Sequence, residues 1–263
     1  MTRTLAAVLF GLSVMGTTLP LFAEKEPAAD GHGEKAPKQS FEVTSTERVN
    51  FLPGGTIRLE NSYGYLTVEG WDEPEVEVTV TKSTDRFYEP GRKEQAGKAF
   101  EQIRVVTERR SDQELVISTT LPDRHSFPSS ILPSGRIIVS MPKKNRLGVT
   151  IDYTVHVPRD SRLVVGHDHG YVWVSDVTGD IEVNSHTGDM IVVVPDAGPY
   201  SIDARTRMGS VSSDFRGNGH KQFLVGTQFV HAGQAASRRI YLRMGRGSIT
   251  IKNGPPSGAF WKN

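Results

Sequence analysis

Two carboxylates, Glu182 and Asp203, occupy equivalent places in a recurring sequence pattern, and Arg205 follows the second by two residues. Cleavage of a glycosidic bond needs two carboxyl groups, or a carboxyl beside Arg or Lys, on one face within a few ångströms. If successive repeats stack, residues at equal offsets lie one rung apart, about 4.8 Å. Glu182 and Asp203 are the one carboxylate pair that this rule aligns; Asp168, Asp176, Asp189 and Asp214 fall at other offsets. The alternative reading is a ladder of charge on a solvated sheet, and no catalytic residue is assigned.

Tyr171 and Trp173 are alternate residues of one predicted strand and so share a face. They form either a stacking platform for a sugar or a pair packed beneath a loop. Candidate binding residues are therefore Tyr171, Trp173, Glu182, Asp203 and Arg205. The run His167-Asp168-His169 places two imidazoles at alternate positions, but His186 stands two before Gly188 and matches Asp168, while His156 belongs to another strand. Two ligands do not make a metal centre, so no metal site is assigned. No Gly-x-Ser-x-Gly elbow joins a strand to a helix, and Gly217-Asn-Gly219 does not open a helix as a phosphate loop would. No cofactor is implied.

The elements that position these residues come from an internal repeat. Five glycines, Gly64, Gly170, Gly188, Gly209 and Gly247, share the same surroundings. Seven before them stand Ile57, Leu163, Ile181, Ile202 and Ile240, and five before stand Leu59, Val165, Val183, Ala204 and Leu242. Two after stand Leu66, Val172, Met190, Val211 and Ile249; four after stand Val68, Val174, Val192, Ser213 and Ile251. All but Ser213 are apolar in a chain that is 37% hydrophobic, which chance does not produce. Each unit reads as a strand, a turn of about four residues closed by Gly, and a second strand, at a period of about 19 residues. The 38 residues from Gly209 to Gly247 read as two such steps. Units this small must stack to bury a core, so the expected fold is all-β: stacked β-solenoid or β-helix-like repeats over residues 158–253.

Residues 41–157 hold the first repeat in an antiparallel β layer. Val76, Val78 and Val80 alternate in a strand, 103–108 and 114–120 form a hairpin, and 136–141 and 149–157 add two strands. Ala96, Ala99, Phe100 and Ile103 recur at helical steps and predict one short helix within 91–103. Residues 124–134 read as an exposed loop.

The compartment is legible at the N-terminus. Arg3, an uncharged run from Thr4 to Ala23, and Glu24-Lys25-Glu26 after it form a signal peptide over residues 1–23. A retained anchor is the alternative. The charge-rich segment 24–40 reads as a disordered linker, and the mature chain is expected in the periplasm, secreted or on the cell surface. With 31 basic and 30 acidic residues, one of them lost with Arg3, no overall charge excess points to nucleic acid or to a membrane grip. The absence of cysteine excludes disulfides and thiolate metal sites.

The run from Gly55 to Trp71 with its Val-rich successor to Lys82, the step Tyr153-Thr-Val-His-Val-Pro158, and Gly170-Tyr-Val-Trp-Val-Ser-Asp-Val-Thr-Gly179-Asp-Ile-Glu-Val resemble the bacterial "putative adhesin" family of exported β-solenoid domains, over about residues 45–253. The resemblance implies a non-catalytic binding or envelope role and carries no catalytic residues with it. The expected partners are a cell-envelope glycan or protein, or further copies of the chain through open strand edges, with the tail 254–263, including Phe260 and Trp261, as a cap. A carbohydrate-active enzyme using Glu182 and Asp203 is the rival.

Overall fold

Side chains of a strand alternate between its two faces, and the inward set here is Val, Ile and Leu throughout. The computed structural model describes residues 41–84, 93–120, 130–131, 137–138, 149–195, 200–222, 225–233 and 236–254. The signal segment, the linker and the capping residues Phe260 and Trp261 lie outside the described residues, as does most of 124–141.

The chain runs β1 (Glu42–Asn50), β2 (Thr56–Trp71), β3 (Glu75–Thr84), α1 (Lys93–Glu101), β4 (Arg104–Ser111), β5 (Glu114–Thr120), β6 (Ser130–Ile131), β7 (Ile137–Ile138) and β8 (Val149–Pro158). It continues through β9 (Arg162–Ser175), β10 (Ile181–Val194), β11 (Tyr200–Met208), β12 (Val211–Ser213), β13 (Asn218–Gln222), β14 (Gly226–Ala232) and β15 (Arg238–Asn253). The fold is all-β with one short helix, and its main sheet is large, mixed and open: within residues 41–157 the pairs β1–β3, β3–β8 and β4–β5 are antiparallel as expected, but β2 lies parallel to β5 and β8. The sheet order is β1-β3-β8-β2-β9-β10-β15-β11-β14-β13, with β5 also on β2 and β12 on β15. β6 and β7 form a separate antiparallel pair, so two residues of the expected exposed loop are strand.

The predicted columns are present in the pairing. Ile57 lies opposite Leu163, Leu163 opposite Ile181, Ile181 opposite Ile240 and Ile240 opposite Ile202, all in parallel. These five are at most 1% exposed. The inward residues on both sides of the glycines belong to one core, which Ala96, Phe100 and Ile103 of the helical segment also enter or approach as buried side chains.

Two expectations are corrected. First, no turn interrupts four of the five units: β2, β9, β10 and β15 each run through their glycine as one strand of 14 to 16 residues, and the chain leaves strand only at Gly209, between β11 and β12. Leu59 and Leu66 are both inward although seven residues apart, an odd step that flat alternation forbids. The strand resolves it with a bulge, where the register shifts between Leu59, Ser62 and Gly64, and with glycines at φ from 93° to 139°. Second, the units do not stack in chain order. The 38 residues after Gly209 hold no extra repeat; β13 and β14 form an antiparallel hairpin on β11, and β15 then inserts between β10 and β11. Packing explains the order. β15 offers Ile240, Leu242, Ile249 and Ile251, all fully buried, and gains most from neighbours on both sides. The unit of β11 and β12 has Ala204 and Ser213 at those places and takes the outer position.

The glycine column, in spatial order 64, 170, 188, 247 and 209, is closely packed. A Cβ on Gly170 would lie 1.9 Å from the Gly64 carbonyl oxygen, one on Gly188 1.7 Å from that of Gly170, and one on Gly247 1.6 Å from that of Gly188. Beside the column, the buried His167 places Nδ1 2.9 Å from Ser62 Oγ, which lies 3.3 Å from the Gly166 carbonyl oxygen. Burial pushes the His167 pKa down from its ordinary 6.5 to about 4.

Gly188→Ala combines positive φ with backbone overlap and should cost at least about 3 kcal/mol. Gly97→Ala, in the helix with nothing within 4 Å of the added atom, should stabilise by about 0.5–1 kcal/mol. Chemical unfolding midpoints read both, and equal effects would contradict the packing. Because the unfolded chain takes up the His167 proton at higher pH than the native one, stability should fall between about pH 6.5 and 4 and then level, by roughly 3 kcal/mol in all. His167→Gln should flatten that part of the urea-midpoint profile, and an unaltered profile would contradict this assignment.

Candidate binding face

The row just past the glycines holds Tyr65, Tyr171, Asp189 and Ser248 on four adjacent strands. The Tyr65 and Tyr171 rings stack with centroids 5.5 Å apart and planes 3° from parallel. They are 55% and 48% exposed, among the most open large apolar residues of the described chain. Asp189 accepts hydrogen bonds from Ser248 N at 2.9 Å and Ser248 Oγ at 2.6 Å, and these hold its carboxyl below the usual carboxylate range. Its negative charge, and its hydrogen bond with the phenol, raise the Tyr171 pKa. Tyr171 therefore stays a neutral phenol whose O–H faces a fixed acceptor. Trp173 lies two residues along, half-buried, between Thr67 and Ile191. The sequence indicated Tyr171 and Trp173 and missed Tyr65, whose matching place one residue after Gly64 was the available signal.

Glu182, Asp203 and Arg205 belong to the other arm of their strands, before the glycines. The expected contact between Glu182 and Asp203 is not made, because Tyr241 of β15 pairs with both and lies between them. Two rungs, about 9–10 Å, separate the carboxylate positions. Each carboxylate already has a cation: Glu182 lies 3.6 Å from Arg162 Nη2, and Asp203 accepts from Arg243 Nη2 at 2.6 Å and Nη1 at 3.2 Å. Gln228 Nε2 donates to the same Asp203 side chain at 3.3 Å. The Arg243 guanidinium also lies 3.7 Å above the Tyr241 ring, and its Nη1 donates to two main-chain carbonyls, of Asp203 and Leu242. Asp203 thus acts as the anchor of a rigid arginine. Arg205 pairs across the sheet with Arg243 and Gln228 and is exposed.

The two histidines do not share a face. The bulge lies between them, so His167 turns into the core while His169 stays exposed, stacked on Tyr63 at 5.4 Å and tilted toward His186 at 5.7 Å. Among the described residues no group of three or more His, Cys, Asp or Glu is placed to hold a metal. None of their helices is long and apolar enough to cross a membrane.

No family model matches the chain, and no curated protein does. Among solved structures it is similar to a putative cell adhesion protein from Clostridium sporogenes, with 11% identity over 82% of this chain and 100% of that one and a TM-score of 0.47. It is also similar to a putative adhesin from Parabacteroides distasonis, with 9% identity, 81% and 66% coverage and a TM-score of 0.24. A putative adhesin from Bacteroides fragilis has 11% identity, 80% and 97% coverage and a TM-score of 0.24. The solved structures to which the chain is similar thus carry the same adhesin description as the family that its glycine-centred repeats resemble.

Proposed function

We propose that the chain is an exported, non-catalytic, adhesin-like module of the bacterial cell envelope, a β-solenoid in which the outward rows of stacked strands form a binding or assembly surface. The observation that carries this reading is the Tyr65–Tyr171 pair. Two parallel rings stand open to solvent on hydrogen-bonded ladders, the phenol of Tyr171 is oriented by Asp189, and Trp173 flanks them. Amphipathic rings on a rigid base present large contact area at small entropic cost, which suits recognition. The parallel column through β2, β9, β10, β15 and β11 supports the stacked-repeat part of that description, with β15 inserted out of chain order, and the N-terminal signal segment supports export.

Binding rather than glycan cleavage is supported by the ion pairs that engage Glu182 and Asp203 and by the tyrosine between them. Lateral growth by self-association is opposed at one edge, where exposed β1 carries Glu42, Glu47 and Arg48.

Crosslinking the mature protein in intact cells should capture an envelope glycan or an envelope protein. Tyr65→Ala with Tyr171→Ala should reduce that capture at least about tenfold while leaving the unfolding midpoint unchanged. Turnover of an envelope glycan that disappears in Glu182→Ala and Asp203→Ala would overturn the reading.

A further inference from the structure

Across the sheet from the tyrosine pair, the chain's charge is unevenly placed. Residues 200–253 contain nine Lys or Arg and two Asp, a formal +7, whereas the whole chain is +1. The strands in this stretch, β11 to β15, are all at one end of the sheet. One of the two acids, Asp203, is consumed by Arg243. Among the described residues, Arg205 and Arg207 are exposed and make no ion pair or side-chain hydrogen bond.

Both arginines line a cleft of about 600 Å³. They stand two residues apart on β11, about 6.6 Å along the strand, and Arg243 lies beside them on β15. The opposite side presents the carboxamides of Asn61 and Asn184, with Asp168 and the His186 ring. Between the sides lies Gly245, where a Cβ would come within 2.4 Å of the His186 carbonyl oxygen, so the backbone is bare at that point. A row of rings, Tyr63, His169 and His186, leads across three strands into the cleft. Asn61 holds φ at 58°, a left-handed conformation that Asn tolerates better than most residues.

This combination has a definite chemical preference. Free guanidinium groups fit carboxylates with paired N–H donors. Carboxamides donate to and accept from hydroxyls, a carboxylate accepts from them, and rings stack on the apolar face of a sugar. Single-stranded DNA carries phosphodiesters but no free hydroxyls along its chain to engage the carboxamides and Asp168, and a lipid surface would meet a cleft walled mainly by charged and polar side chains. A polymer with spaced carboxylates and hydroxyls between them satisfies both walls. We propose that this cleft is a binding groove for an acidic glycan, with Arg205 and Arg207 receiving the sugar carboxylates and Asn61, Asn184 and Asp168 the hydroxyls. The proposal names a ligand class for the binding role argued above and rests on that role, but on a surface separate from Tyr65 and Tyr171.

Calorimetric titration of the mature protein with oligogalacturonate, with a neutral oligogalactan of equal length, with single-stranded DNA and with phosphatidylglycerol vesicles tests it. The expected result is binding of oligogalacturonate alone, weakened by added salt, and lowered at least tenfold by Arg205→Ala with Arg207→Ala at an unchanged melting temperature. Tyr65→Ala with Tyr171→Ala should leave this titration intact while reducing capture in cells at least about tenfold, so loss of one reading is distinguishable from loss of the other. Equal binding of the neutral sugar, preference for DNA or vesicles, no binding of oligogalacturonate, or an arginine variant that binds like the parent would each overturn the proposal.

Discussion

Five main-chain carbonyl oxygens stand where neighbouring side chains would begin, and that exclusion organises the molecule. At each repeat the strand crosses its neighbour so closely that only a residue without Cβ fits. The same residue sits at positive φ, where other residues are strained. Close approach lets the parallel ladders continue through the bend, and between β2 and β9 a bulge beside it shifts the register. The side chains on both arms of each strand then face one core, although they are an odd number of residues apart. Without that shift one arm would turn its Val and Ile to solvent.

The same geometry sets out the outer surface. Residues at one offset from the column become neighbours across the sheet whatever their distance in the chain. Tyr65 meets Tyr171 and Asp189 meets Ser248 on one arm; Asp203, Tyr241 and Arg243 meet on the other. Arginine behaves differently by position: Arg243 is immobilised by a carboxylate and a ring, whereas Arg205 and Arg207 keep their charge for solvent or ligand. The surface is therefore a set of fixed rows with distinct chemistry, which is what a repeating backbone supplies more readily than a single converging pocket.

The columns were legible in the sequence because burial and alternation are local properties: Ile57 and Leu59, or Ile249 and Ile251, declare an inward face unaided. The glycines were legible for the same reason. The stacking order was not, since equal offsets say which residues share a level but not which units touch. That depended on β15 being more apolar than the unit with Ala204 and Ser213, and on β13 and β14 folding as a hairpin where the spacing allowed a further repeat. The misplacement of Glu182 beside Asp203 followed from this one missing relation. Tyr241 and Arg243 were invisible as site residues until β15 was known to lie between β10 and β11. His167 and His169 were assigned one face because a bulge cannot be read from alternate spacing alone.

The order of stacking is open to a direct measurement, since the chain has no cysteine of its own. Neighbouring strands bring Cα atoms to about 4.8 Å, inside the span of a disulfide, whereas two rungs exceed its limit of about 7 Å. Glu182→Cys with Tyr241→Cys, and Asp203→Cys with Tyr241→Cys, should each oxidise to an intramolecular disulfide in the folded protein, while Glu182→Cys with Asp203→Cys should remain reduced. A disulfide between positions 182 and 203, with position 241 bonding to neither, would mean that the units stack in chain order and would contradict the account.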